Sequence, residues 1–235
     1  RDITGPITFS VGLLVLQVPL GALVVATELE PLAVAFHLGM AMLIFAGVLL
    51  TTIAAFRPAG EPPVAASRTV RHGAVRLLTA ALVATFLLLL TGALVVGSDA
   101  QFACPDWPLC HDGLLPPANA SPLIGIHLLH RYTVAATSVL LAAVVVTFRR
   151  RGTPRPLARW AAVLGALFAV QVAIGGVQVL LQIPMLWRAL HLAAAGGVWG
   201  VLVVLAGLSA PGQAVPERRP APAPPDSAMP TPAQK

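Results

Sequence analysis

Histidines are the side chains of this sequence best suited to chemistry, and three of them take similar places. His37, His130 and His191 each stand near the start of a long apolar run. An ionisable side chain in such a run is costly at membrane depth and usually functional. Neutral imidazole is an axial ligand of heme iron. We therefore predict that these histidines ligate heme iron, with a helix-capping or interhelical hydrogen-bonding role as the alternative for each.

The spacing of the histidines follows an internal repeat, which is a signature of repeated structural units. Gln17, Gly21 and His37 recur at the same spacing as Gln171, Gly175 and His191, and the pentapeptide Gly-Ala-Leu-Val-Val at 21–25 returns at 92–96. The repeat predicts three helical hairpins, each with a Gly near the outer end of its first helix and a His near the outer start of its second. Small residues allow close helix packing. Their place opposite a histidine favours room for the face of a flat macrocycle.

Three further polar residues lie beside the predicted ligands. His127 and His130 are three residues apart and share one helix face. Both cannot ligate the same iron, so His127 is assigned to the outer rim of the pocket as a catalytic, proton-handling group. Arg131 and Arg188 stand near His130 and His191, where a guanidinium can pair with a carboxylate such as a heme propionate. The alternative for both arginines is a snorkelling interfacial side chain.

Both cysteines of the chain lie in one loop, which spans residues 97–123 and contains Cys104 and Cys110. A loop on the oxidising side of a membrane favours a disulfide. With His111 the two cysteines could imitate a zinc site, but a fourth ligand is missing.

The elements that must position these residues are transmembrane helices. Hydrophobic residues make up 57% of the 235 positions and charged residues only 10%, which excludes an ordinary soluble domain. Six apolar runs come close to the roughly 20 residues that cross a bilayer; they lie at 7–27, 33–56, 75–97, 124–148, 157–182 and 189–208. We predict an all-α integral membrane protein of six helices in three repeated hairpins, of four-helix-bundle type.

Charge placement predicts the topology of the chain. Arginines crowd the second and fourth loops, which the positive-inside rule makes cytoplasmic together with both termini. The net charge of +6 therefore reflects topology rather than nucleic-acid binding. Arg1 stands where a starting Met would be, which indicates a fragment of a longer protein. The predicted divisions are a first hairpin at 1–56, a basic cytoplasmic loop at 57–76, a four-helix heme-binding bundle at 77–208 and a disordered Pro/Ala-rich cytoplasmic tail at 209–235.

Four segments of the sequence resemble the heme A synthases of bacteria and mitochondria. They are TGALVVGS at 91–98, ACPDWPLC at 103–110, HLLHR at 127–131 and ALHL at 189–192. The resemblance covers about residues 8–208. It implies conversion of heme O to heme A, in which a heme methyl group is hydroxylated twice and loses water to leave a formyl group. The implied cofactor is heme b, and the implied substrate is heme O.

Family members usually have two related four-helix bundles, each with two histidines facing one heme. The resemblance implies that an opening hairpin is missing, that His37 is the remaining ligand of the first bundle, and that His130 and His191 hold a b-type heme in the second. The family's cysteine loop typically precedes the pattern Glu-x-x-His-Arg in the first bundle, and His127 stands here at the glutamate position. Either both halves of the parent carry such loops, or the helices of 75–208 form the substrate bundle.

The resemblance also implies a bacterial plasma-membrane location among membrane lipid. The expected partners are a heme O synthase and a quinol or other electron donor, and the sequence leaves room for a homo-oligomer. Two other functions remain open from the residues. A non-catalytic b-type cytochrome would need the same histidines but no cysteine loop. A thiol-disulfide oxidoreductase would need a second redox-active cysteine pair or a quinone site.

Overall fold

Six long helices form the protein in a computed structural model that describes residues 3–56, 68–111, 113–117, 119–150 and 152–210, without the side chains of 68–72. The helices are α1 Thr4–Ala26, α2 Pro31–Phe56, α3 Arg68–Gly97, α4 Pro122–Phe148, α5 Arg155–Leu180 and α6 Met185–Ser209. All six contain a segment long and apolar enough to cross a membrane. The described residues include no β-strand, only an isolated bridge between Cys110 and Gly113. The predicted all-α fold with six spans is confirmed.

The helices begin earlier than the apolar runs, most clearly at α3. This helix starts at Arg68, so the second half of the predicted basic loop 57–76 is helical. Arginine is a good helix former, so the helix can begin before the apolar run does. Residues 57–67 lie outside the described part of the chain. The predicted disordered tail 209–235 also lies outside it, apart from Ser209 at the end of α6 and Ala210.

Consecutive helices pack as three antiparallel pairs, α1 with α2, α3 with α4, and α5 with α6. The second and third pairs close into a four-helix arrangement, because α4 also packs on α5 and α3 on α6. Its centre is filled by fully buried leucines and a valine, namely Leu141, Val144, Leu164, Leu202 and Leu205. The connections within the three pairs all fall at one end of the bundle, here called the histidine end because His37, His130 and His191 lie near it.

The first pair docks on this bundle through α2, which packs against α3 and α6. Glycines allow the approach. A methyl group on Gly39 would lie 2.8 Å from Leu90, and one on Gly200 would lie 3.1 Å from Phe45. The buried indole of Trp199 on α6 donates a hydrogen bond of 2.9 Å to the carbonyl of Met42 on α2. Helix α1 packs extensively only on α2, and it is the least buried of the six spans.

The repeat extends into the turns of the first and third pairs. Glu28 and Leu29 have φ of 55° and 69°, and Gln182 and Ile183 have φ of 60° and 64°. Left-handed backbone is uncommon for non-glycine residues and strained for a β-branched one. The same backbone hydrogen bonds close both turns, Leu29 to Val24 and Ile183 to Gln178. Both turns therefore lead into their second helix with the same geometry. In each of these helices the histidine lies six residues after the first helical residue.

Candidate functional site

Each of the three histidines rests on the glycine of its own hairpin. A methyl group on Gly21 would lie 3.1 Å from Cε1 of His37, one on Gly92 would lie 3.2 Å from Cε1 of His130, and one on Gly175 would lie 3.0 Å from Cε1 of His191. The glycines therefore make room for the imidazole ring, where the sequence suggested room for a macrocycle. Because the ring edge facing the helix is Cε1 in every hairpin, the three imidazoles share one orientation.

His130 is held through Nδ1. The Thr91 hydroxyl lies 3.1 Å from Nδ1 and donates to the Leu88 carbonyl at 3.0 Å. A hydroxyl has only one proton to donate, so the consistent arrangement has Nδ1–H donating to Thr91. The lone pair then lies on Nε2, which makes no hydrogen bond within the described residues. A metal-ligating histidine typically has its other nitrogen fixed by such a partner.

His37 and His191 are held differently, by glutamines one turn before their glycines. The Gln17 amide nitrogen lies 3.2 Å from Nε2 of His37 and 3.1 Å from its carbonyl. The Gln171 amide nitrogen likewise lies 3.2 Å from Nε2 of His191. Two hairpins therefore share a contact that the middle one lacks, where Leu88 takes the place of the glutamine.

His127 is buried at the start of α4, with 5% of its surface exposed. Its Nδ1 lies 2.9 Å from the carbonyl of Ala100, which belongs to a short 3-10 turn after α3. A carbonyl can only accept, so Nδ1 carries the hydrogen. In the neutral ring Nε2 is then left as a proton acceptor. This tautomer is compatible with the predicted proton-handling role of His127. The role itself stays a prediction.

The cysteine loop is closed by the expected disulfide between Cys104 and Cys110, both of which are fully buried. Arg131 fastens this loop to α4. Its guanidinium donates hydrogen bonds of 2.5 to 3.2 Å to carbonyls of the loop, those of Cys104, Asp106, Pro108 and Leu109. His111 adds a bond of 3.0 Å from Nε2 to the Ala103 carbonyl. The described partners of Arg131 are thus carbonyls of the loop, and its predicted pairing with a heme carboxylate stays a prediction.

The loop also reaches the neighbouring hairpin. A methyl group on Gly176 of α5 would lie 3.0 Å from the indole of Trp107, which is the centre of the disulfide loop. Gly176 directly follows Gly175, the glycine beneath His191. The loop therefore joins the hairpin of His130 to the hairpin of His191 at the histidine end.

The structure brings some predicted site residues together and leaves others apart. His130 and His191 belong to hairpins that pack on each other, because α4 contacts α5 and α3 contacts α6. His37 lies in the first hairpin, outside the four-helix arrangement of α3 to α6. Arg188 is exposed one turn before His191, and no described residue forms an ion pair or hydrogen bond with its side chain.

The donor set suits a heme better than a bare metal ion. No three His, Cys, Asp or Glu side chains among the described residues cluster as a metal site. A porphyrin supplies its own equatorial nitrogens and asks only for axial imidazoles. Buried atoms without partners in the described structure accompany two of these imidazoles, namely Nδ1 of His37 and His191 and Oε1 of Gln17 and Gln171. Buried polar atoms without partners are rare in native structures, so these four atoms single out the surroundings of the two imidazoles as a place that calls for an explanation.

Sequence reasoning missed several residues of this site. Thr91 was seen only as part of a motif, and nothing in its type marks it as the partner of a histidine 39 positions away. Gln17 and Gln171 were visible as members of the repeat, a signal that could have identified their contact with the histidines. The Trp107 contact with Gly176 had no such signal, because it joins a loop to a helix of another hairpin.

Comparison with known proteins places the chain among proteins of cytochrome oxidase assembly. A family model described as cytochrome oxidase assembly protein, COX15-CtaA, matches residues 1–203. Heme A synthase of Symbiobacterium thermophilum is 35% identical over 200 residues, which are 84% of this chain and 65% of the relative. Heme A synthase of Rhizobium etli is 34% identical over 192 residues, 76% of this chain and 50% of the relative.

A protein of another name also matches. Protoheme IX farnesyltransferase of Haloarcula marismortui is 36% identical over 129 residues, which are 54% of this chain and 27% of the relative. The chain spans between half and two thirds of the length of the two heme A synthases. Since the family model covers most of its residues, the chain belongs to the COX15-CtaA family of cytochrome oxidase assembly proteins.

Proposed function

We propose that this chain is a heme-dependent membrane oxidoreductase, a heme A synthase, which oxidises the methyl group of heme O to a formyl group. The observation that supports it most is the repeated cradle at the histidine end, in which His130 and His191 rest on glycines of adjacent hairpins beneath one disulfide loop. Relatives that are 35% and 34% identical carry the name heme A synthase.

We assign each site residue a role according to its position. His130 and His191 would hold a b-type heme in the four-helix arrangement of 77–208. When bound, the heme supplies the redox chemistry. His37 is the ligand of a second heme in the first hairpin. Arg188, exposed beside His191, pairs with a heme carboxylate, while Arg131 keeps the cysteine loop over the bundle.

His127 is the catalytic group of the proposal. Its Nδ1 is tied to the Ala100 carbonyl, so Nε2 is the atom that accepts and returns a proton. Burial keeps bulk water from His127, and the hydrogen bond to the Ala100 carbonyl fixes which ring nitrogen is the acceptor. His127 therefore takes the proton-handling role that the family's glutamate position implies.

Location and partners follow from the same proposal. The chain is a multi-pass membrane protein, and we place it in the bacterial plasma membrane with both termini in the cytoplasm. Its partners are heme O, membrane lipid, a heme O synthase and a quinol or other electron donor. The Haloarcula match supports the heme O synthase as a partner. A protein named protoheme IX farnesyltransferase, an enzyme that acts on heme, contains a segment similar to this chain over 27% of its length.

The experiment is a pyridine-hemochrome spectrum with chromatography of the heme extracted from purified chain, expressed with and without a source of heme O. Heme A that appears only when heme O is supplied is the expected result. His191→Ala should abolish the low-spin spectrum of one heme, because it removes an axial ligand. An unchanged spectrum in His191→Ala would show that this residue is not a ligand.

A non-catalytic b-type cytochrome is the second candidate, and the identity of residue 127 favours it. The family pattern has a glutamate where this chain has His127, and bis-histidine ligation suits electron transfer better than oxygen activation. Recovery of heme b alone, with heme O supplied, would select this function. The disulfide is buried and is the only cysteine pair of the chain, which weighs against a thiol-disulfide oxidoreductase.

A further inference from the structure

Gln17 and Gln171 each contact Nε2 of the histidine in their hairpin, the nitrogen that would bind iron. An amide nitrogen can only donate, so the contact between Gln171 and His191 places the lone pair of Nε2 under the amide hydrogen. The ring proton is then on Nδ1, which is buried without a partner in the described structure. The contact between Gln17 and His37 is the same, at the same 3.2 Å.

The middle hairpin provides the contrast. Leu88 stands four residues before Gly92, as Gln171 stands four before Gly175. His130 and His191 meet their glycines with the same ring edge, Cε1 nearest, then Nδ1, then Nε2. Two rings that present the same edge to their glycines thus differ in the hydrogen bonds of both nitrogens. His130 has Nδ1 fixed by Thr91 and Nε2 open, whereas His191 has Nε2 covered by Gln171.

We infer that Gln171, and Gln17 in the first hairpin, are latches on the ligating histidines. Each is a positioning residue whose amide holds Nε2 until a heme iron displaces it. The inference rests on the proposed heme binding and adds the order in which the two histidines engage the heme. His130, whose Nε2 is open, would engage a heme first, and His191 would engage it only when the Gln171 amide leaves Nε2.

The latch has a measurable consequence because amide and iron compete for one lone pair. Removing the amide hydrogen bond destabilises the ligand-free state of His191 and leaves the iron bond unchanged. Its net worth is that of one ordinary hydrogen bond, which corresponds to about fivefold in an equilibrium constant. A carboxylate at the same position would accept a hydrogen from Nε2 and hold that nitrogen protonated, which strengthens the block.

The experiment compares full-length variants in detergent, with ferric protoheme as the probe and low-spin absorbance as the readout. Gln171→Leu gives His191 the residue that His130 has naturally, and we expect heme binding about fivefold tighter than in the unaltered chain. Gln171→Glu should weaken binding. Leu88→Gln should also weaken it, because it installs the latch on His130. Gln178→Leu changes the same residue type on the same helix, without a described side-chain contact, and should leave binding unaltered.

Tighter binding in Gln171→Leu and weaker binding in Gln171→Glu and Leu88→Gln support the latch. Weaker binding in both Gln171 variants, or no difference between Gln171→Leu and Gln178→Leu, would overturn it while leaving heme binding intact. Absence of binding in the unaltered chain would overturn the heme proposal and the latch together. Thermal unfolding of the heme-free variants separates a folding defect from an altered latch, and Leu88→Gln tests the idea on another helix if Gln171 variants do not fold.

Discussion

Glycine and histidine act as one unit in each hairpin, because the imidazole fills the space that a methyl group would need. This explains why glycine occurs in the interior of membrane-spanning helices, where alanine would otherwise favour the helix by about 1 kcal/mol. The space is specific to the pair, since the nearest atom to each of these glycines is Cε1 of the histidine in the same hairpin.

Gly175→Ala should therefore displace His191 and lower heme retention. Its methyl group would lie 3.0 Å from Cε1, closer than ordinary van der Waals contact. Gly196→Ala on α6 is the matched control, because nothing lies within 4 Å of its methyl position. We expect faster loss of low-spin heme absorbance in Gly175→Ala and a stability equal to or about 1 kcal/mol above the unaltered chain in Gly196→Ala. Equal heme retention in the two variants would contradict the cradle.

Arginine 131 and arginine 188 look alike in sequence but have different surroundings. Arg131→Gln should loosen the cysteine loop, because a neutral amide cannot replace four donated hydrogen bonds. We expect amide hydrogen exchange at 104–110 about tenfold faster, the equivalent of about 1.4 kcal/mol of local stability. Arg188→Gln should leave that exchange unaltered and weaken heme binding instead. Slower heme loss in Arg188→Gln, or unaltered exchange in Arg131→Gln, would show that the roles are assigned wrongly.

The sequence predicts the helices well but predicts few of the contacts between them. Apolar length gives six helices, and the repeat gives the pairing of Gly21 with His37 and of Gly175 with His191, because both signals are local or periodic. In a membrane, however, every face of a helix is apolar, so periodicity does not indicate which face packs on protein. The docking of α2 on α3 and α6 was for this reason not predictable, although the glycines that allow it were visible.

Trp199 is the polar contact that fixes this docking, and Trp199→Phe tests it. Phenylalanine keeps most of the ring packing against Phe86 but loses the hydrogen bond to Met42, at a cost of about 1 kcal/mol. The expected result is lower thermal stability with faster amide exchange in α2. Trp187→Phe is the control, since no hydrogen bond of its indole occurs in the described part of the chain. If α2 exchanges equally in both variants, the indole contact does not hold the first hairpin.

At the scale of the whole molecule, the histidine end is one chemical surface built from three hairpin connections. The disulfide loop, the exposed Arg188 and the three imidazoles all lie toward it. At the opposite end lie Arg149, Arg150, Arg155 and Arg159. A buried disulfide belongs to an oxidising compartment, and crowded arginines belong to the cytoplasmic side. Both features favour the predicted topology, in which the histidine end faces the oxidising side of the membrane, and that topology stays a prediction.

Site-directed labelling tests this orientation. Leu115→Cys lies in the exposed cysteine loop, and Thr153→Cys lies in the turn between α4 and α5. In intact cells a membrane-impermeant maleimide should label Leu115→Cys and not Thr153→Cys, and both should react after the membrane is opened. The chain with its natural cysteines is the control, because Cys104 and Cys110 are joined and buried and should not react. If only Thr153→Cys is labelled in intact cells, the orientation is the reverse of the predicted one and the histidine end lies in the cytoplasm. That outcome would contradict the predicted topology, in which the cysteine loop lies on the oxidising side of the membrane.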